Sequence, residues 1–122
     1  MRPDGAAPFL YPTGDWTRPN YEWQIGLNGS CFTDIIDRLW LRTGDDRILK
    51  EFYPTVKQMT TFTMNLRPEA EDKGILSVPR DGKGQEWWEH TELYGMVPHF
   101  GGVHLAHLKM AERMAKRVGD EA

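Results

Sequence analysis

Apolar residues recur at helical spacing in three separate stretches of the chain, and this pattern predicts an all-α fold. In the first stretch, apolar pairs repeat every four residues: Cys31/Phe32, Ile35/Ile36 and Leu39/Trp40. This spacing predicts an amphipathic helix over 31–42, with Ser30 as its N-cap and Thr43-Gly44 as its end. The same pattern predicts that Cys31 is a small core residue and not a nucleophile.

A second helical stretch begins at Asp45-Asp46, where two carboxylates suit the positive end of a helix dipole. Pro54 lies inside it and lacks a backbone donor, so a break or kink near Tyr53 is expected. The third helix is predicted over 101–118, with Gly119 as its C′ residue. The apolar face of the second helix comprises Ile48, Leu49, Phe52, Val56, Met59, Phe62 and Leu66. That of the third comprises Val103, Ala106, Met110, Met114 and Val118, flanked by Leu105, Leu108, Ala111 and Ala115.

The segments outside these helices are long and rich in glycine, proline and aromatic residues. Residues 1–30 show no sustained period and are predicted to form an irregular loop. Residues 67–100 form a second long loop, with a short strand predicted over 75–78. Connections within helix bundles are usually about 2–8 residues. The three helices are therefore expected to belong to a larger all-α architecture and to make a poor bundle on their own.

Composition excludes several classes of protein. The chain has 122 residues, 15 Lys+Arg and 18 Asp+Glu, giving a net charge of −3, and this argues against nucleic-acid binding. One domain is the most that this length supports. The single cysteine excludes an internal disulfide framework. No apolar run is long enough to predict a membrane span. No signal peptide is visible at Met1, so a cytoplasmic location is expected.

The densest cluster of candidate chemistry lies between Gln85 and Glu92. It contains three carboxylates, two indoles and an imidazole: Glu86, Glu89, Glu92, Trp87, Trp88 and His90. A carboxyl group beside an apolar wall can stay protonated near neutral pH, as a general acid requires. Indole faces also suit the apolar faces of sugar rings. On composition alone, an exposed polar loop whose tryptophans pack on a neighbouring surface is the favoured alternative.

Metal and cofactor chemistry is not predicted. His104 and His107 lie three apart on the third helix, but no carboxylate at a helical offset completes a ligand set, so hydrogen-bonded or packing histidines are expected. The acidic turn at Glu69, Glu71 and Asp72 is interrupted by Lys73 and is predicted to be a solvated loop. The acidic positions of the first helix, Asp34 and Asp37, are predicted to form a solvated face, with Arg38 turned toward a pocket.

The order of these segments resembles the catalytic region of glycoside hydrolase family 116, the non-lysosomal glucosylceramidase and bacterial β-glucosidase group. The resemblance covers most of residues 31–120. It rests on Leu41-Arg42-Thr43-Gly44-Asp45, Phe52-Tyr53-Pro54-Thr55-Val56, Asp72-Lys73-Gly74-Ile75-Leu76, Tyr94-Gly95 and Gly101-Gly102-Val103-His104-Leu105-Ala106. Members of the family share an (α/α)6 barrel and a retaining mechanism with a Glu nucleophile and an Asp acid/base.

The resemblance implies a role for the carboxylate cluster. Counting back from Gly95 and Gly101 places the acid/base at Glu89 and puts Trp88 at the family's Tyr position, while a one-residue shift in loop length would select Glu92. Trp87, Trp88, Glu86 and His90 would then line the sugar site. The family's nucleophile lies well upstream, so the chain would hold the acid/base part of a retaining β-glycosidase.

The partners that this implies are a carbohydrate substrate and the remainder of the catalytic domain. The isolated chain is expected to have negligible activity, since it would carry only one of the two carboxyl groups. Two rival hypotheses stay open. One is a non-catalytic carbohydrate-binding or helical interaction module, and the other is a part of a different (α/α)6 glycosidase, such as an inverting enzyme.

Overall fold

Three helices account for nearly all of the chain that the structure describes, which confirms the all-α prediction. In the computed structural model of the chain, the described residues are 3–7, 25–65, 77, 95 and 98–120. Their helices are α1 (Ile25–Thr43), α2 (Asp46–Met64) and α3 (Pro98–Val118). Each helix packs against both of the others. The three helices share a common core, and the expectation that they belong to a larger all-α architecture stays a prediction.

The first helix begins earlier than its apolar pattern predicts. α1 starts at Ile25, so Ser30 lies inside the helix, and the predictions of an N-cap at Ser30 and of a loop reaching residue 30 are wrong. The predicted end is confirmed. Gly44 has a φ of 66° and its N–H donates to the Trp40 carbonyl oxygen at 2.8 Å, which is the αL type of C-cap.

The second helix follows directly, because Asp45 caps it. Its side chain accepts from the Arg47 N–H, and its backbone is extended, with φ −89° and ψ 101°. α2 then runs without interruption through Pro54, so the predicted break does not occur. Pro54 lies on the exposed side of the helix, as does Lys50, whose carbonyl loses a donor, and water can replace the missing hydrogen bond there.

The third helix has ordinary terminal signals at both ends. Pro98 is its first residue, where a missing N–H costs nothing, so α3 begins before the predicted position 101. At the other end, Gly119 has a φ of 75°. The Asp120 N–H donates to the Ala115 carbonyl oxygen at 2.9 Å, the long hydrogen bond of a Schellman motif. The predicted C′ glycine is thus confirmed.

The bundle has an apolar half and a mixed half, here called the polar half, which buries polar side chains beside the apolar Leu27, Met59 and Phe100. The apolar half lies toward the α1–α2 turn and consists of six buried residues, one from α1, three from α2 and two from α3: Ile36, Leu49, Tyr53, Val56, Ala111 and Met114. In the other half, the inward positions of α1 and α3 include Ser30, Thr33, His104 and His107, all buried. In that half, hydrogen bonds therefore contribute to holding the helices together, as apolar packing does in the first half.

Each apolar pair of α1 divides between the inside and the outside of the bundle. Phe32, Ile36 and Trp40 contribute to the core, and Cys31 is exposed. Ile35 is 62% exposed and Leu39 is 43% exposed. The prediction that Cys31 is a core residue is wrong, because only the second member of each pair faces α2 and α3. We call Cys31, Ile35 and Leu39 the outer stripe of α1.

A short segment near the amino terminus, residues 3–7, packs against α2. Gln58 Nε2 donates to the Pro3 carbonyl oxygen at 2.7 Å, and Ala6 and Ala7 are buried. The predicted strand over 75–78 falls outside the described residues except for Ser77, which is buried. Among the described helices, none has the length and apolarity required to cross a bilayer.

Candidate functional site

The carboxylate and tryptophan cluster singled out in the sequence lies outside the described residues. This applies to Glu86, Trp87, Trp88, Glu89, His90 and Glu92. Their predicted roles in catalysis and sugar binding therefore stay predictions. What the structure does describe is the helical support on either side of that loop, and it contains a polar cluster that the sequence pattern did not reveal.

This cluster surrounds the imidazole of His107, which is fully buried where the three helices meet. His107 Nδ1 lies 3.1 Å from Ser30 Oγ, a residue of α1. His107 Nε2 lies 3.0 Å from Thr33 Oγ1, also of α1, and 3.0 Å from Thr60 Oγ1 of α2. Both ring nitrogens thus have hydroxyl partners, and the prediction of hydrogen-bonded histidines on α3 is confirmed for His107. We call these four side chains the His107 cluster.

A serine hydroxyl next to an imidazole resembles a nucleophile and its base, but the cluster does not suit catalysis. Ser30 is 3% exposed and His107 is 0% exposed, so no substrate can approach the hydroxyl. The second ring nitrogen contacts threonine hydroxyls and not the carboxylate that orients a catalytic imidazole. Burial, with a smaller effect of His104, also lowers the pKa of His107 to about 4, which makes it a weak base at neutral pH.

The second histidine of α3 does not convert this cluster into a metal site. The rings of His104 and His107 are nearly perpendicular, with centroids 6.4 Å apart. Within the described residues, no group of three or more His, Cys, Asp or Glu side chains is placed to hold a metal ion. Both Nδ1 and Nε2 of His107 are already engaged with hydroxyl groups, so a metal would have to displace one of them.

An ion pair with a buried carboxylate joins α1 to α3, and it corrects the prediction of a solvated face at Asp37. Asp37 is 4% exposed and accepts from Arg113 Nε at 3.1 Å, with a second bond from Arg113 Nη2. By contrast, Arg38 is exposed and donates to Asp34 Oδ1 at 2.8 Å. Arg38 thus pairs with the carboxylate one turn earlier on the surface of α1 and does not turn toward a pocket.

A groove of about 620 Å³ runs between α2 and α3. Its apolar lining includes Met64, Leu108 and Ala111. At one end, the Asp120 carboxylate accepts from the Tyr53 hydroxyl at 2.8 Å and from Lys57 Nζ at 2.7 Å. Burial, and then the bond to Asp120, raises the pKa of Tyr53 to about 12. Because these charges neutralise each other, the groove suits an apolar occupant better than a polyhydroxylated one.

A third polar junction closes the bundle where α1 turns into α2. Asp46 accepts from the Trp40 indole Nε1 at 3.1 Å and from Arg117 Nε at 3.0 Å. The Arg117 guanidinium, followed by the Trp40 N–H, lowers the pKa of Asp46. The Asp46 carboxylate at the start of α2 thus binds side chains near the C-terminal ends of both α1 and α3.

Most of these residues could not be identified from local sequence. The histidine spacing on α3 was visible, but the partners of His107 are 47 to 77 positions away in the chain. The predicted apolar stripe of α3 is also displaced, since its buried positions are Phe100, His104, His107, Ala111 and Met114. A stripe that includes two histidines has a weaker apolar signal than one made of aliphatic residues alone.

Comparison with protein-family models, with curated proteins and with solved structures gives no match for this chain.

Proposed function

We propose that the chain is part of the catalytic domain of a retaining β-glycosidase of the glucosylceramidase and β-glucosidase type. The observation that carries the proposal is the order of its motifs: a helix ending in Thr43-Gly44-Asp45, an acidic turn, a carboxylate-rich loop, and a helix entered through Gly101-Gly102. Each motif is weak alone. Their combined order and spacing over residues 31–120 resemble glycoside hydrolase family 116.

The described structure supports this proposal at both glycine–aspartate turns. Gly44 and Gly119 each end a helix in the left-handed region, with φ of 66° and 75°. Asp45 then caps α2, and Asp120 binds Tyr53 and Lys57 of α2. Repeated helix–Gly-Asp units suit a fold built from successive helical hairpins, such as an (α/α)6 barrel, of which α1 to α3 would form one part.

The outer stripe of α1 gives a second line of support. A helix that is apolar on two sides is usually covered on both of them. In an (α/α)6 barrel the remaining helices of the catalytic domain would supply that cover. The stripe supports equally the alternative of a non-catalytic helical interaction module, in which another protein would cover the same face.

In the proposed mechanism, Glu89 is the general acid that protonates the leaving glycosidic oxygen and then the base that activates water. Trp87 and Trp88 would form a wall of the sugar site and raise the pKa of that acid. Glu86 and His90 would contact the substrate. The nucleophilic carboxylate would come from the remainder of the domain, about 5–5.5 Å from the acid.

The test uses the protein encoded by the complete open reading frame that contains this sequence. Aryl β-glucosides with poor and with good leaving groups would be assayed for the parent protein and for Glu89→Gln. Loss of the acid should lower kcat/KM for the poor leaving group by about 10²–10⁴-fold and spare kcat/KM for the activated one. Turnover of the activated glucoside should then be limited by deglycosylation, which has lost its general base. Added azide should restore that turnover, because it needs no base, and give a β-glycosyl azide.

Glu92→Gln and Glu86→Gln are the matched controls. If the azide-rescued phenotype appears in Glu92→Gln instead, the acid is Glu92 and the assignment of Glu89 is wrong. A parent protein that binds glucosides without hydrolysing them would favour the binding module. A parent protein that inverts the anomeric configuration would reject the retaining mechanism.

A further inference from the structure

The His107 cluster belongs to the helix bundle and includes no residue of the proposed catalytic loop. The cluster joins all three helices through one side chain: His107 belongs to α3, Ser30 and Thr33 to α1, and Thr60 to α2. It lies in the polar half of the bundle, away from the six-residue apolar core. The hydrogen bonds between the helices in that half therefore depend on this imidazole, beside the apolar contacts of Leu27, Met59 and Phe100.

The threonine hydroxyls determine where the imidazole proton sits. Thr33 Oγ1 donates to the Gly29 carbonyl oxygen at 2.9 Å, and Thr60 Oγ1 donates to the Val56 carbonyl oxygen at 2.7 Å. Each hydroxyl has only one proton, so both oxygens must act as acceptors toward His107. We therefore assign the proton of the neutral ring to Nε2.

The other nitrogen, Nδ1, is then the acceptor of the Ser30 hydroxyl. A second proton on the ring would sit on Nδ1. The Nδ1–H and the Ser30 O–H would then point at each other as two donors, so the hydrogen bond would be lost unless the Ser30 hydroxyl rotated. The resulting imidazolium would also lie in a site with 0% exposure. Both effects oppose protonation of the folded protein.

Among the described residues, the groups bonded to His107 supply no countercharge for an imidazolium. The side chains that bond to His107 from α1 and α2 are hydroxyls, which carry no charge. On α3 the neighbouring titratable group is His104, which can only add a like charge. Asp37 of α1 is bound to Arg113, and Lys57 of α2 is bound to Asp120. Within the part of the chain that the structure describes, protonation of His107 thus places a charge between the helices with no carboxylate bonded to it.

We propose that His107 is a pH-dependent latch: the neutral imidazole holds α1 and α2 against α3, and its protonation in moderately acidic solution releases the polar half of the bundle. Among the described residues, the six-residue core around Leu49 and Met114 contains one titratable side chain, Tyr53, which is neutral in acid, and the nearby carboxylate of Asp37 is held by Arg113. Opening is therefore expected to begin in the polar half while the apolar half stays packed.

The sign of the pH effect follows from the two pKa values of this histidine. The pKa is about 4 in the folded protein and 6.5 without its surroundings. Between these values the unfolded chain binds the proton and the folded chain does not, so stability falls as the pH falls. For this group alone, the ratio of folded to unfolded protein should decrease about 20-fold from pH 7 to pH 5.

The experiment compares urea unfolding of the parent chain, His107→Gln and His104→Gln at pH 7 and pH 5. Glutamine is neutral at both pH values and keeps an amide donor for the threonine hydroxyls. From pH 7 to pH 5 the ratio of folded to unfolded protein should fall about 20-fold more for the parent than for His107→Gln, and His104→Gln should also fall more than His107→Gln because it keeps the His107 imidazole. Equal pH dependence in the parent and in His107→Gln overturns the proposal.

A second measurement does not depend on the folding of a variant. Histidine ring protons of the folded parent chain would be followed by NMR from pH 7.5 to pH 4, together with amide hydrogen exchange. The His107 resonance should stay unshifted to below pH 5, and exchange at Thr33 and Thr60 should accelerate in acid before exchange at Leu49. A His107 resonance that titrates near pH 6.5 overturns the proposal, as does uniform acceleration at all three sites.

Discussion

Asp37 and Arg113 form an ion pair in which the two partners differ greatly in exposure. The Asp37 side chain is 5% exposed, whereas that of Arg113 is 45% exposed. The carboxylate therefore depends on the guanidinium far more than the guanidinium depends on the carboxylate, because only the carboxylate is removed from water. This asymmetry has a measurable consequence.

Replacing the exposed partner should destabilise the bundle more than replacing the buried one. Arg113→Met leaves a buried carboxylate without its cation and should lower the free energy of unfolding by about 3 kcal/mol. Asp37→Asn leaves an arginine that water can solvate and should cost about 1 kcal/mol. Urea unfolding at pH 7 measures both. The surface pair of α1 provides the control, since Arg38→Met should change stability by less than about 0.5 kcal/mol.

Two glycines with positive φ should respond differently to alanine. Gly5 has a φ of 97°, and a Cβ there would overlap the Gln58 carbonyl group and lie 3.0 Å from Phe62 Cβ. Gly44 has a φ of 66° with nothing within 4 Å of a Cβ. Gly5→Ala should therefore release residues 3–7 from α2, whereas Gly44→Ala should cost only about 1 kcal/mol of backbone strain.

Amide hydrogen exchange at Ala6 distinguishes these two outcomes, because its N–H donates to Asp4 Oδ1 at 3.1 Å inside the packed segment. Exchange at Ala6 should accelerate in Gly5→Ala and stay unchanged in Gly44→Ala. Unchanged exchange in Gly5→Ala would mean that the chain accommodates the methyl group by shifting α2.

Stability should fall in alkaline solution because of Tyr53. Its pKa is about 12 in the folded protein and 10.0 without its surroundings. Between these values the unfolded chain releases the phenolic proton and the folded chain retains it, so stability decreases as the pH rises. Tyr53→Phe should be less stable than the parent by about 1.5 kcal/mol at pH 8, since it lacks the bond to Asp120.

The difference in the free energy of unfolding between the parent and Tyr53→Phe should shrink by about 1.4 kcal/mol at pH 11. The parent is destabilised there because Tyr53 ionises more readily in the unfolded chain, whereas phenylalanine does not ionise. Urea midpoints at pH 8 and pH 11 provide the comparison. A difference that is the same at both pH values would show that Tyr53 ionises alike in the folded and unfolded chain.

Neighbouring isoleucines on α1 should differ in their contribution to stability. Ile36 is 4% exposed and Ile35 is 62% exposed. Ile36→Ala should cost about 3 kcal/mol by leaving a cavity, whereas Ile35→Ala should stay within about 0.5 kcal/mol in this chain. If the full protein covers the outer stripe, Ile35→Ala should become costly there. Thermal unfolding of Ile35→Ala and of its parent, measured in this chain and in the protein encoded by the complete open reading frame, tests this expectation.

The parts of the fold that sequence predicted well are those determined by neighbours along the chain. The start of α2 at Asp45-Asp46, the end of α1 at Thr43-Gly44 and the C′ glycine at 119 depend on backbone groups within a few residues. Ser30 shows the limit of such reasoning. Its hydroxyl suggested a helix start, but its partner is His107, 77 positions away, and only tertiary packing brings them together.

The same limit explains the errors at Asp37 and Cys31. An acidic residue on a helix is usually solvated, and only the approach of Arg113 from α3 makes burial of Asp37 tolerable. Because the apolar positions of α1 come in adjacent pairs, they cover a wide face of the helix, and the pattern does not show which member of each pair faces the core. That choice depends on where α2 and α3 lie, which local periodicity does not encode.

The position of Cys31 offers a practical means of observing the bundle. It is the one cysteine of the chain, it is exposed, and it lies on the same helical edge as Ile35 and Leu39. A maleimide fluorophore or spin label would therefore attach at a single point, on the side of α1 that faces away from the core. The emission of the fluorophore, or the mobility of the spin label, would change when a carbohydrate-processing domain, or any other helical protein, binds to the outer stripe of α1.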